Sequence, residues 1–217
     1  MGDQADFPSL SSYERGQRAF VGRTYAADVN SHLEFQARLW DPVKARKKKM
    51  PRRVFIEGNH EYRIERALDL SPELTNTISF DDLQVKEYYN DLVRYDGKTP
   101  GQIEIDGITY THYFVAGISG RPMSGEHHAY QLLAKQYSSC TASHSHLTDY
   151  ATRTVANGRK IHGLVSGCFL DYHLDWAGEM NKLWWRGVVL KHNVEDGNYD
   201  PEFISLARLV KEYGNGI

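Results

Sequence analysis

Val54-Phe55-Ile56-Glu57-Gly58-Asn59-His60-Glu61 is the stretch on which the reading of this chain turns. A short apolar run closed by glycine is how a buried strand ending in a functional turn looks. Behind it, Tyr62 to Leu70 mixes apolar residues with Arg63 and Arg66 at helical spacing until Pro72 closes the pattern. Strand, polar turn and helix follow in that order, and Asn59 and His60 sit at the C-terminal end of the strand.

Upstream, Ser31 to Leu39 carries apolar and aromatic residues at loosely helical spacing, and Lys44 to Lys49 adds positive charge at the expected C-terminal end of that helix. Gln102 to Ile105 and Ile108 to Phe114 alternate around Asp106-Gly107, a dipeptide suited to a two-residue hairpin turn. That hairpin ends beside His112. Glu126 to Tyr137 is helical in pattern, Ser138 to Ser143 is a short strand, and Ala151 to Val155 with Lys160 to Val165 form a second hairpin across Asn157-Gly158. Trp184 to Lys191 is a further strand, and Phe203 to Val210 fits strand or helix equally. No internal repeat, low-complexity tract or linker interrupts the 217 residues, so a single domain over residues 1–217 is expected.

A net charge of −2 does not describe a protein built chiefly to hold nucleic acid, although it leaves room for a local basic patch. Two cysteines, Cys140 and Cys168, are too few for a disulfide framework, whereas ten histidines favour nitrogen ligation. No run approaches the ~18 apolar residues of a membrane span, and the N-terminus has no basic-then-apolar leader pattern. A soluble, cytoplasmic protein is expected.

Three separated patches can converge on metal: Gly2-Asp3 with Asp6, then Gly58-Asn59-His60-Glu61, then His112 followed by Ser143-His144-Ser145-His146. Two metals about 3.5–4 Å apart can clamp a phosphoryl group and lower the pKa of a bridging water, which requires a bridging carboxylate and several neutral nitrogens. Asp3 can bridge, Asn59 can offer a carbonyl oxygen, and His112, His144 and His146 can offer imidazole, a mixed N/O set suited to Zn, Fe or Mn rather than Ca. His60, next to a ligand, is free to donate a proton to a leaving oxygen, with Asp6 as the carboxylate that orients it.

The order GD-x-x-D, GNHE, lone His, His-x-His resembles the calcineurin-like metallophosphoesterase family over Gly2 to His146. The later Ser166-Gly167-Cys168 and Trp184-Trp185-Arg186-Gly187 segments are similar in character to its bacteriophage-type members. The resemblance implies a four-layer αββα sandwich of two mixed sheets, with the site at the C-terminal ends of central strands. It implies that Asp3 bridges two divalent ions (Mn, Fe or Zn), that Asn59, His112 and His144 hold the second and His146 the first, and that His60 is the acid with Asp6 as its partner. The expected activity is phosphoester hydrolysis by a metal-activated hydroxide, of phosphodiesterase or nuclease type. Phe7 stands where protein phosphatases of the family usually carry Arg, which argues against a phosphoprotein substrate. For a phage-encoded protein the compartment would be the host cytoplasm.

Two departures accompany the resemblance. Ser143 replaces the glycine of the usual GH-x-H. The D-x-H block has no match before Met1, so the first strand is expected to be missing and the first metal to keep only Asp3 and His146. A mononuclear or weakly binuclear site follows, and with it two alternatives: a catalytically impaired metal-binding or partner-binding domain, or one part of a split phosphoesterase completed by an N-terminal segment.

Other residues admit two readings each. Lys44 to Lys49 with Arg52 and Arg53 could grip nucleic acid or simply be a solvated helix end. Arg63 and Arg66 could reach a substrate phosphate or pair with Glu65 and Asp69 at the surface. His128, with His127, could line the substrate pocket or be exposed. Trp184 and Trp185 read as packing residues, and the two cysteines as buried thiols.

Overall fold

Glycine-terminated β1 (Val54–Ile56) pairs in parallel with β2 (Asp91–Val93), Phe55 standing opposite Leu92. The computed structural model describes residues 1–47 and 49–214, and Lys48 of the basic run lies outside the described residues. Two compact units divide the chain, Met1–Gly101 and Gln102–Ile217.

In the first unit the long helix α1 (Tyr25–Arg46) is capped by Thr24, whose side chain accepts from the Ala27 amide at 3.2 Å, and it carries Lys44 and Arg46 in its last turn. Parallel strands need a crossover, and here it is α2 (Arg63–Leu70), then a 3-10 turn over Phe80–Leu83 closed by a Ser79/Asp82 capping box, then α3 (Val85–Tyr88). The core gathers Phe7, Phe55, Ile64, Phe80, Leu83, Val85 and Tyr89. Phe55 is central to it, edge-on to Tyr89 at 5.3 Å and to Phe80 at 6.1 Å. Three-residue β2 escapes a pattern search because Asp91 is a poor strand former; its carboxylate is held by Arg52 at 2.7 Å.

Lys44 and Arg53, at the two ends of the basic run, are held within this unit at the end of β1 opposite Gly58, while Arg46, Lys47 and Lys49 between them are exposed. The Lys44 amine lies 4.2 Å over the Tyr88 ring, Arg53 lies 5.7 Å over Trp40, and the Arg53 amide donates to Asn90 at 3.0 Å. Those contacts describe a helix end and strand entry tied down by their own neighbours.

The second unit is built on a mixed five-stranded sheet in the order β3 (Gln102–Ile105), β4 (Ile108–Thr111), β5 (Ser139–Ala142), β7 (Lys160–Ser166), β6 (Thr148–Thr154). The β3–β4 hairpin turns through Asp106 and Gly107, both at positive φ (51° and 77°), as the Asp-Gly signal predicts. β4, β5 and β7 run parallel, while β6 returns antiparallel along β7. Helix α4 (His128–Gln136) connects β4 to β5 and covers one face. It lies so close to β7 that a Cβ on Gly163 would stand 2.4 Å from the Ala129 carbonyl oxygen.

Toward the hairpin of β8 (Gly187–Glu195) and β9 (Asn198–Ser205) the sheet presents polar side chains. Lys191 donates to Thr141 Oγ1 at 2.6 Å and to Tyr110 at 3.0 Å, beneath the rings of Tyr110 and Tyr199. Burial lowers its pKa to about 7. His162 links Tyr150 (2.6 Å) to Asn198 (2.7 Å) alongside.

The ambiguous Phe203 to Val210 segment is both things in turn. β9 ends at Ser205, whose hydroxyl accepts from the Arg208 amide at 3.2 Å and starts α5 (Leu206–Tyr213). The strand expected from Trp184 begins instead at Gly187, because Trp184 and Trp185 belong to the preceding loop and its packing. The chain is thus mixed α/β, and among the described residues no helix is long and apolar enough to cross a membrane.

Candidate metal centre

The predicted site residues fall into two groups, one in each unit. In the first unit the GNHE turn and the N-terminal loop are knitted together by Glu61, which is 0% exposed. Its carboxylate accepts from the amides of Asp3 (2.9 Å), Ala5 (2.8 Å) and Gly58 (2.8 Å). Three amides on one buried carboxylate are charge-assisted bonds, stronger than neutral ones. Gly58 is required by proximity: a Cβ there would lie 2.1 Å from Asp3 Oδ1 and 2.3 Å from the Asp3 nitrogen. Asp3 and Phe7 hold left-handed backbone conformations, φ 53° and 46°, uncommon for an aspartate and strained for a phenylalanine. Phe7 is sunk in the core, stacked on Tyr25 at 5.6 Å, and leaves its position without a cation.

On this frame Asp3 Oδ1 accepts from the His60 amide at 3.0 Å, and Asp6 Oδ1 lies 2.5 Å from His60 Nδ1. Arg63 binds the Asp6 and Phe7 carbonyls at 2.7 and 3.2 Å and stands 3.7 Å from the Asp6 carboxylate. Arg63 therefore clamps the loop that presents Asp6. Its surface-pair alternative is not what forms, since Glu65 takes Arg94 at 2.7 Å; Arg66 is exposed. Burial lowers the pKa of His60, but the Asp3 charge and the Asp6 hydrogen bond outweigh it and hold the imidazole above its usual value. Burial likewise raises Asp6, yet the bond to His60, its charge and Arg63 together hold that carboxyl below the usual range. Asn59 is half-buried in the same turn.

In the second unit His112 directly follows β4, and its carbonyl accepts from the amides of both Ser143 and His144 at 3.1 Å. That pair of bonds fastens the loop after β5 to the end of β4. His112 is 1% exposed, and its Nε2 lies 3.1 Å from His144 Nδ1, with the rings at 74°. Two imidazole nitrogens bound to one cation at about 2.1 Å would stand about 3.0–3.4 Å apart for bond angles of about 90–110°. The pair therefore fits a shared ion.

His146, at φ 59°, sets its ring edge-on to Trp184 at 4.4 Å, and its carbonyl accepts from Trp185 at 3.1 Å. His128, expected as a pocket or surface residue, is 1% exposed, and its Nδ1 lies 3.4 Å from Ser145 Oγ; His127 alone is exposed. Burial lowers the His128 pKa against the pull of Asp149.

Gly58, Glu61 and Ser145 lie in the patches expected to converge on metal, but the contacts that they make were not foreseen from the sequence. A signal for the first two was present: a glycine with Glu three residues on, before a helix, is the spacing of a side chain that reaches back to an N-terminal amide. No known protein family, curated protein or solved structure matches the chain.

Proposed function

We propose that this chain is a metal-dependent phosphoester hydrolase, of phosphodiesterase or nuclease type, with the calcineurin-like four-layer arrangement that its motif order resembles. In this reading Asp3, Asn59, His112, His144 and His146 hold divalent cations, Mn, Fe or Zn. The ions would supply an acidified water and neutralise charge on the phosphoryl oxygens. His60 would donate its Nδ1–H to the Asp6 carboxylate, which fixes the ring and leaves Nε2 to protonate the leaving oxygen. Asp3 holds the His60 backbone in place through the bond to its amide, and Glu61 holds Asp3.

The observation that carries this reading is the 3.1 Å approach of His112 Nε2 to His144 Nδ1, two buried or half-buried nitrogens brought from different strand ends. An acid dyad of His60 and Asp6 supports it independently. The test combines metal stoichiometry with hydrolysis of bis-p-nitrophenyl phosphate. Bound metal, and turnover lost with the H112A variant, support the hydrolase. One metal without turnover favours a silent metal-binding domain, and no metal at all removes the reading.

A further inference from the structure

We propose that His128 is a positioning residue for the His144-Ser145-His146 loop, a role that rests on the metal reading above. Ser145 stands between the two expected ligands, and its hydroxyl is 3.4 Å from His128 Nδ1. His128 opens α4 and is 1% exposed, while its Nε2 is buried with no hydrogen-bond partner among the described residues. An unsatisfied buried nitrogen costs stability that an apolar residue of similar size would not, so packing alone does not account for an imidazole here. The mounting beneath it is firm. The Asp149 carboxylate, at the start of β6 just beyond the loop, accepts from the Ala129 amide at 2.8 Å, and the Ala129 carbonyl packs directly on Gly163 of β7.

The first turn of α4 is thus tied to the strand on the far side of the loop and seated on the neighbouring strand. From there His128 can hold Ser145, and with it the left-handed backbone of His146 at φ 59°. Groups that orient ligands from behind commonly change metal affinity about 10–100-fold when removed.

The experiment titrates Co(II) into metal-free wild type, H128L, H128N and S145A, reading the dissociation constant, the visible spectrum and the melting temperature before metal is added. Asn carries a polar atom near the position of Nδ1, whereas Leu carries none. The role predicts about tenfold or weaker binding with an altered Co(II) spectrum in H128L and S145A, near wild-type behaviour in H128N, and an unchanged metal-free melting temperature in S145A. If H128L fails to fold, S145A against H128N decides. Wild-type affinity and spectrum in S145A, or no recovery in H128N, would overturn the role while leaving the metal site standing. A wild type that binds no Co(II) would overturn both.

Discussion

Replacing Glu61 by Gln tests the frame on which the first group of site residues depends. The carboxylate accepts three amides at 2.8–2.9 Å, Asp3 and Gly58 on one oxygen and Ala5 on the other. In its better orientation the Gln carbonyl keeps the two amides of Asp3 and Gly58, and the NH₂ group then faces the Ala5 N–H, donor against donor. One bond is lost and one buried amide left unsatisfied, a cost of about 1–3 kcal/mol. The opposite orientation loses two, about 2–6 kcal/mol by the same reasoning. The expected outcome is a lower urea midpoint with an unchanged slope for the unit that carries Glu61, and faster hydrogen exchange at Ala5 than at Gly58. Exchange at Ala5 identical to wild type, with no change in midpoint, would show that the buried carboxylate is not what holds the loop.

Gly58→Ala should displace Asp3, since the new methyl would meet its carboxylate and its backbone nitrogen together; metal affinity should fall with little loss of secondary structure by circular dichroism, and unchanged affinity would contradict the close approach. His60→Ala should cost about 10²–10⁴ in kcat on a phosphodiester with a poor, alkoxide leaving group, but far less on a p-nitrophenyl ester, whose leaving group needs no proton. Equal losses on the two substrates would remove the acid role. Lys191 predicts a pH dependence: its amine binds a proton more readily in the unfolded chain, where the ordinary value is 10.5, than in the fold, where burial holds it at about 7. Stability should therefore rise with pH across that window, by up to about 1.4 kcal/mol per pH unit from this group. Chemical denaturation from pH 7 to 10 should show the rise in wild type and a flatter profile in K191M; the same slope in both would contradict it.

Much of the architecture was legible because its signals are local. The strand at Val54, the helix at Arg63, the turn at Asp106-Gly107 and the hairpin across Asn157-Gly158 each carry their own period or turn chemistry. β2 was not legible, since three residues beginning with an aspartate become a strand only by pairing with β1. The division at Gly101 lacks any compositional mark. Within the candidate centre, the closeness of Asp6 to His60 and of His112 to His144 followed from motif order, which carries long-range information that periodicity does not. Glu61 and His128 were harder to assign. A buried carboxylate looks like any surface glutamate until the three amides around it are known, and a histidine beside an exposed one gives no sign of its burial.

Whether His112 and His144 share a metal ion rather than a hydrogen bond is decided by anomalous diffraction from crystals grown with Mn(II) or Zn(II). A shared ion gives a peak about 2.0–2.2 Å from both His112 Nε2 and His144 Nδ1. Ordered density for both rings, their facing nitrogens 3.1 Å apart, with no peak between them in crystals saturated with metal would contradict it.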